Sequence, residues 1–527
     1  MAANENNLTA SDDHLSPVYK LYLKGDYKEA LSILDNLTQD FPNDSRLFSI
    51  GGDCYVPLNL YDQAILCYEE ALKLSPDNIK LYIKKIRVLV LTENIEEALE
   101  LCNEAIKIAP NNSDLFLSQG NIFHDLRNFN NAIESYNKVI KLTPKSAEAY
   151  CNKANSLECL WEFDEAIIAA KKAIQIKPDL SLAFFNLGSS AMHLNLFDLS
   201  MESFNKAIDL KPNYAKYEYA KGTLLLLYGD FKNGWPLWES RWRLNKLFSP
   251  KLETNCSVWT GDKNSKLLVW SEQGIGDQLM FSALLSDLSK KCKDLIVYIN
   301  PRLISLLKRS MGDICTFYPD NKPIPALYDA QISIGSLGQY LREEEVDFES
   351  SRYGFLKDDK VKTAEIKKDI ALSNKKICGI SWRSKSPKSG DHKTIPLKYL
   401  IKMLNLDGYA FVSLQYGDTK DEINDVKSEL GIDIVSYEKV DNFNDIDGLT
   451  SLIQACDTVI TIDNITCQLA GALGKETHVL LTYGSSWWVW MSDRSDSLWY
   501  DSVKIYRQEA NKTWHDSFKR LKQNLNK

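Results

Sequence analysis

A carboxylate at the start of a helix, directly after a strand and a glycine turn, stands where it can work on a ligand. Residues 266–291 have that form. An apolar run, 267–270, leads into Ser271-Glu272-Gln273-Gly274-Ile275-Gly276-Asp277. A helix with an apolar face of Met280, Phe281, Leu284, Leu285 and Leu288 follows. Asp277 in that place can take a proton from a hydroxyl as general base. It can equally cap the helix, with Gly274 and Gly276 serving only the turn. A second segment, 463–475, opens a helix after a buried run and stops at Gly474. The free N–H groups and positive dipole end of its first turn suit a phosphate or diphosphate. Thr466 adds a hydroxyl, and Ala470, Gly471 and Ala472 let the helix lie close to a sheet. The plain alternative is an ordinary strand–helix unit capped by Asp463 or Asn464. Arg383 and Lys385 close another apolar run with no acid beside them in sequence, as a solvated loop or a second source of positive charge. No Walker loop occurs.

These residues need strands to present them. From about 265 onward, short apolar runs at 267–270, 294–299, 329–334, 377–382, 409–414, 458–462 and 477–481 alternate with amphipathic stretches. Alternation of that kind predicts parallel α/β sheets. Ligands then bind beyond the carboxyl ends of the strands, where the polar loops fall. The charged run 358–376 reads as a linker with an exposed helix between two α/β lobes.

The first half has a different grammar. Prolines at 42, 76, 110, 144, 178 and 212 repeat every 34 residues. A small residue precedes each at a fixed offset: Ala30, Ala64, Ala98, Ala132, Ala166 and Ser200. A second small position holds Gly52, Gly120, Ala154, Gly188 and Gly222. Small residues let antiparallel helices approach, and proline ends the second of each pair. Period and pattern resemble the tetratricopeptide repeat, with six units over 11–214 and a degenerate cap to 248. Such an array offers a groove for an extended peptide or a helix. Asn121, Asn152, Asn155 and Asn186 recur on the inner helices, either as a ladder holding a peptide backbone or as solvated helix residues. Trp235, Trp238 and Trp242 share one helix face, suited to packing the last repeat on the next domain.

Composition sets outer limits. The net charge of −8 gives no footprint for nucleic acid or an anionic membrane. The amino terminus lacks the basic and apolar regions of a secretory signal, and no apolar run is long enough to span a bilayer. Eleven cysteines without paired spacing read as free thiols in a reducing cytoplasm, and six scattered histidines predict no metal site.

Taken together, 235–527 resembles the glycosyltransferase domain that follows tetratricopeptide repeats in bacterial proteins. That domain is related to the ADP-heptose–lipopolysaccharide heptosyltransferases and has the two-lobed GT-B fold. The matching pieces are 234–242, 267–281, 379–385, 393–397, 411–418, 463–475 and 497–508, in the family's order. The resemblance implies metal-independent transfer of a sugar from a nucleotide-sugar substrate, with no resident cofactor. Asp277 matches the family's base, Lys385 and the Asp463–Thr466 turn match the diphosphate contacts, and Gln415 to Gly417, with Tyr416, match the loop near the nucleotide base. Where relatives commonly have histidine, this chain has Gln468, which can hydrogen-bond but carries no charge. Some proteins of this layout are flagellin glycosyltransferases whose repeats grip the protein acceptor.

The expectation is therefore a disordered 1–10, repeats over 11–248, an acceptor-side lobe over 249–372 and a donor lobe over 373–527. The chain is read as a cytoplasmic, inverting glycosyltransferase acting on a protein hydroxyl. The alternative is a repeat scaffold whose transferase half has lost its chemistry.

Overall fold

The computed structural model describes residues 9–244, 250–263, 265–324, 327–371, 375–385, 390–485 and 487–526. The chain forms two compact units, Met1–Ser190 and Ala191–Lys527. Of the stretch expected to be disordered, 1–8 lie outside the described residues. Ala10 is buried, and its N–H donates to Asp44 Oδ2 at 3.0 Å.

The first unit is built of antiparallel helix pairs, and the 34-residue period shows in their caps. Asp44, Asn78, Asn112 and Ser146 each stand two residues after a repeat proline, and each side chain accepts a backbone N–H of the helix it opens. Pair packing trades volume at a fixed separation of 16 residues. Gly52 faces Tyr68 and Gly120 faces Tyr136, where an added Cβ would sit 2.5 Å from the ring. Each tyrosine hydroxyl bonds the residue beside its glycine, Asp53 at 2.8 Å and Asn121 at 2.9 Å.

Neighbouring inner helices are joined by a bond that recurs between residues 31 apart. Lys84 donates to Asp53 at 2.6 Å, Asn152 to Asn121 at 2.9 Å, Asn155 meets His124 at 3.1 Å, and Ser189 donates to Glu158 at 2.6 Å. The asparagines are thus part of an internal polar stripe. Asn186 corrects the ladder expectation outright, because its side chain is fully buried and donates to the Cys151 carbonyl at 2.9 Å.

The second unit starts with helices Phe197–Leu210, Ala215–Leu227 and Phe231–Trp238. Its first sheet holds β1 (Ser257–Val258), β2 (Lys266–Trp270), β3 (Asp294–Ile299), β4 (Thr316–Pro319) and β5 (Ala330–Ser333), in the order β1-β5-β2-β3-β4. Its second holds β6 (Lys376–Ser381), β7 (Tyr409–Ser413), β8 (Ile434–Val435), β9 (Thr458–Ile462), β10 (Thr477–Leu481) and β11 (Val503–Arg507), in the order β11-β10-β9-β6-β7-β8. All ladder pairings among these strands are parallel. The run 358–376 is not a free linker. Helix Lys360–Ile370 packs on helix Ile446–Ala455 and buries Ile366 and Ile370, while 372–374 lie outside the described residues.

The last repeat helices group with the α/β part because of Trp235, Trp238 and Arg241. Trp235 stands edge-on to Trp238 and Trp488, and its Nε1 donates to the Arg342 carbonyl at 2.7 Å. Arg241, 1% exposed, lies 3.7 Å above the Trp238 ring and grips Glu272 through Nη2 to Oε1 at 2.8 Å and Nε to Oε2 at 3.2 Å. Glu272 is itself 3% exposed. Removing one partner of such a pair leaves a buried charge alone. Arg241→Ala is expected to cost about 3–5 kcal/mol, read as a lower midpoint in thermal unfolding followed by tryptophan fluorescence. An unchanged midpoint would show that the pair contributes nothing to the second unit.

Candidate functional site

In each sheet the chain reverses its direction of travel once, and the reversal opens a crevice at the strands' carboxyl ends. In the second sheet the strands run β6 to β8 one way and β9 to β11 the other, so the crevice lies between β6 and β9. Asn464 bridges it, donating from Nδ2 to Ser381 Oγ at 2.7 Å. In the first sheet the reversal lies between β2 and β5, and Glu272 spans it by accepting the Gly335 N–H at 3.0 Å. The two crevices meet where helix Ile275–Ser282 packs on helix Ile465–Ala472. Gly276 lies at that contact but is not required by it. A Cβ there would lie 3.8 Å from both Gln468 Cγ and Ile465 Cδ1.

Asp277 sits in the first turn of its helix, and its Oδ2 accepts the Gly274 N–H at 3.1 Å. Asp277 therefore caps its own helix. Burial pushes its pKa up to about 6. The Gly274 bond works against that rise, the charges of Asp463 and Glu272 add to it, and Lys393 opposes it.

Asp463 is 5% exposed and does not cap the helix. Its Oδ2 takes Lys393 Nζ at 2.5 Å and its Oδ1 takes Trp490 Nε1–H at 2.9 Å. Burial opposes the charge on Lys393, but Asp463 outweighs it, so the lysine stays protonated above its ordinary range. Sequence reasoning passed over Lys393 and Trp490. Each lies far along the chain from Asp463, and only the loop arrangement joins them. Asn464 is the true N-cap, its Oδ1 accepting the Thr466 N–H at 2.9 Å. Within that first turn, Thr466 Oγ1 and Gln468 Nε2 are buried without a hydrogen-bond partner. Gln468 Oε1 accepts Tyr500 OH at 2.8 Å, which fixes the amide with its N–H₂ left over.

Arg383 is committed elsewhere. Its guanidinium pairs with Glu422 at 2.9 Å and bonds the Asp418 carbonyl, so the acid that sequence did not place beside it comes from a later helix. Gln415 is also structural. Its Oε1 accepts the Trp382 and Arg383 N–H groups, both at 2.9 Å, which staples the loops after β6 and β7. Lys385, Tyr416, Gly417, Asn442 and Phe443 line a cavity of about 540 Å³ beyond the carboxyl ends of β6 to β8. Tyr416 OH accepts the Lys385 N–H at 2.8 Å, and Lys385 Nζ has no carboxylate partner among the described residues. The stretch 386–389 of that loop lies outside the described residues. Among the described residues, no cluster of three or more His, Cys, Asp or Glu side chains is arranged to hold a metal ion, and no helix is long and apolar enough to cross a membrane.

Comparison with known proteins bears on the first half most directly. Residues 58–120, 147–180 and 182–214 match models of the tetratricopeptide repeat, and 120–158 match a TPR repeat model. The chain carries tetratricopeptide repeats. Among curated proteins it is similar to Protein FlbA of Caulobacter vibrioides, 29% identical over 315 residues, which cover 56% of this chain and 52% of that protein. The chain thus spans about half the length of this relative. Among solved structures it is similar to YrrB, a TPR protein with an unusual peptide-binding site, at 22% identity and a TM-score of 0.30, covering 36% of this chain and 97% of that one. A tetratricopeptide repeat protein from Parabacteroides merdae gives 16% identity and a TM-score of 0.40, covering 45% and 93%.

The raised pKa of Asp277 has a consequence for stability. An ordinary aspartate ionises near 3.8, and Asp277 near 6. Between these values the unfolded chain has lost a proton that the fold keeps, so stability falls as pH rises through this window and stays lower above it. Asp277→Asn keeps an oxygen for the Gly274 N–H and removes the charge. It is expected to stabilise the protein at pH 8 by about 1–3 kcal/mol and to leave it unchanged near pH 4. Destabilisation at pH 8 would contradict the buried-acid assignment.

Proposed function

We propose that the second unit is a glycosyltransferase that moves a sugar from a nucleotide-sugar donor to a protein hydroxyl. The observation that carries this reading is the opposition of Asp277 to the first turn of helix Ile465–Ala472 across the junction of two sheet crevices. A base for the acceptor hydroxyl and a site for the leaving diphosphate are the two groups that such a transfer needs.

In this reading the β-phosphate lies against the N–H groups at the start of helix Ile465–Ala472. Thr466 Oγ1 and Gln468 Nε2 supply the donors that the fold leaves unpaired. Lys393, already protonated, and Lys385, at the cavity mouth, spread the growing negative charge. The cavity lined by Tyr416 and Phe443 takes the nucleotide base. Asp277 accepts the acceptor proton and needs to be ionised to do so, which its pKa near 6 permits at neutral pH. The repeats suggest binding of a protein partner, and that partner would bring the hydroxyl. Transfer is inverting and proceeds without a metal ion.

A second reading, a repeat scaffold with a silent transferase half, draws on Gln468. The glutamine stands where a histidine could have titrated, and Tyr500 holds its oxygen.

A thermal-shift series with UDP, GDP, ADP and CMP separates the two. Stabilisation by one nucleotide is expected, and none by any of them favours the scaffold. With the donor so identified, Asp277→Asn should lower transfer at least a hundredfold (about 10² or more) while nucleotide binding persists. In the unaltered protein the transfer rate should fall as pH drops below about 6. Turnover retained in Asp277→Asn would remove Asp277 from the mechanism.

A further inference from the structure

The loop after β10 places three tryptophans within four positions, Trp487, Trp488 and Trp490. Two of them are buried and have evident tasks. Trp488 packs among Trp235, Trp238, Phe281 and Trp499, with ring centroids 5.2–6.4 Å apart. Trp490 donates Nε1–H to Asp463. Trp487 is only partly buried. It is nevertheless held in place. Trp490 meets it edge-on, with centroids 6.0 Å apart, and Lys393 Nζ stands 5.7 Å from its ring centre. The indole therefore lies against the Lys393–Asp463 pair with surface to spare. A large aromatic group left partly exposed gives up burial that Trp488 and Trp490 beside it achieve.

We propose that Trp487 is the platform on which the sugar ring of the nucleotide-sugar donor rests. The proposal builds on the donor reading given above. Strands β9 and β10 are neighbours in the sheet, so the loops that follow them lie side by side. A diphosphate at the helix after β9 places the sugar that it carries beside the loop after β10. The carbon face of a pyranose presents weakly positive C–H groups, and the face of an indole is negative. Lys393 stands over the indole, where its ammonium can meet the hydroxyls of the same sugar. The nucleotide alone makes none of these contacts, so the ring distinguishes the sugar from its carrier.

Isothermal titration of the full chain tests this with UDP, GDP and ADP, and with UDP-glucose, GDP-mannose and ADP-glucose. For the nucleotide that binds, Trp487→Ala should weaken the sugar conjugate about five- to tenfold and leave the free diphosphate within about twofold. Trp487→Tyr, which keeps a ring, should recover most of the loss. Should the alanine variant fail to fold, Trp487→Leu, apolar without a ring, takes its place. An equal loss for conjugate and diphosphate would mean that the ring only shields Lys393 and Asp463, and would overturn the proposal. Unchanged binding of both would overturn it as well. If none of the three diphosphates binds the unaltered protein, this proposal falls, and if CMP fails to bind as well the donor reading falls with it.

Discussion

A carboxylate taken out of water must be paired or must give up its charge. That rule sorts three of the acids at the strand ends of the second unit. Glu272 is clasped by Arg241, and Asp463 by Lys393. No cation is bonded to Asp277 among the described residues, and its pKa rises to about 6. The two paired acids are structural ties between loops that start on different strands. The third holds its proton up to about pH 6 and is ionised above it. The chemistry assigned to Asp277 thus depends on its neighbours having taken the available cations.

The aromatic cluster makes this arrangement stiff. Trp235, Trp238 and Trp488 interlock at near-perpendicular ring angles, and Gly338 is bare because a Cβ there would lie 2.3 Å from Trp235 Cζ2. Gly335 is bare for a similar reason, 2.3 Å from Glu272 Oε1. Helix Ala215–Leu227 packs on the turn Trp488–Trp490, whose Trp490 holds Asp463. The final repeat helices are accordingly part of the body that supports the site, and a boundary drawn at the end of the repeat pattern divides what packing joins.

Much of the architecture was legible because it is periodic. The 34-residue recurrence reports a helix pair whose caps and close approaches repeat, and the helices fall where prolines and small residues put them. The longer strands were legible as apolar runs. β1, β4, β8 and β11 were missed, since β1 and β8 span two residues each and β4 holds a proline, while β11 carries alternating polar residues on a sheet edge. Among the site residues, Asp277, Thr466, Gln468 and Lys385 lie where strand-end logic puts them. Gln415 and Arg383 lie there too but are used up by neighbours, a fact that no reading of chemical type can supply.

Sequence by itself determined the repeat array, the alternation of strand and helix, and the position of polar loops at strand ends, because each depends on spacing along the chain. Tertiary structure alone decided which of these polar residues remain available. Pairing Asp463 with Lys393 requires a contact across 70 residues. Burying Asn186, and leaving Gln468 Nε2 unspent and Trp487 partly exposed, depends on what packs around them. A residue's capacity for chemistry is written in its type, but whether that capacity is free is set by neighbours that the chain brings back from far away.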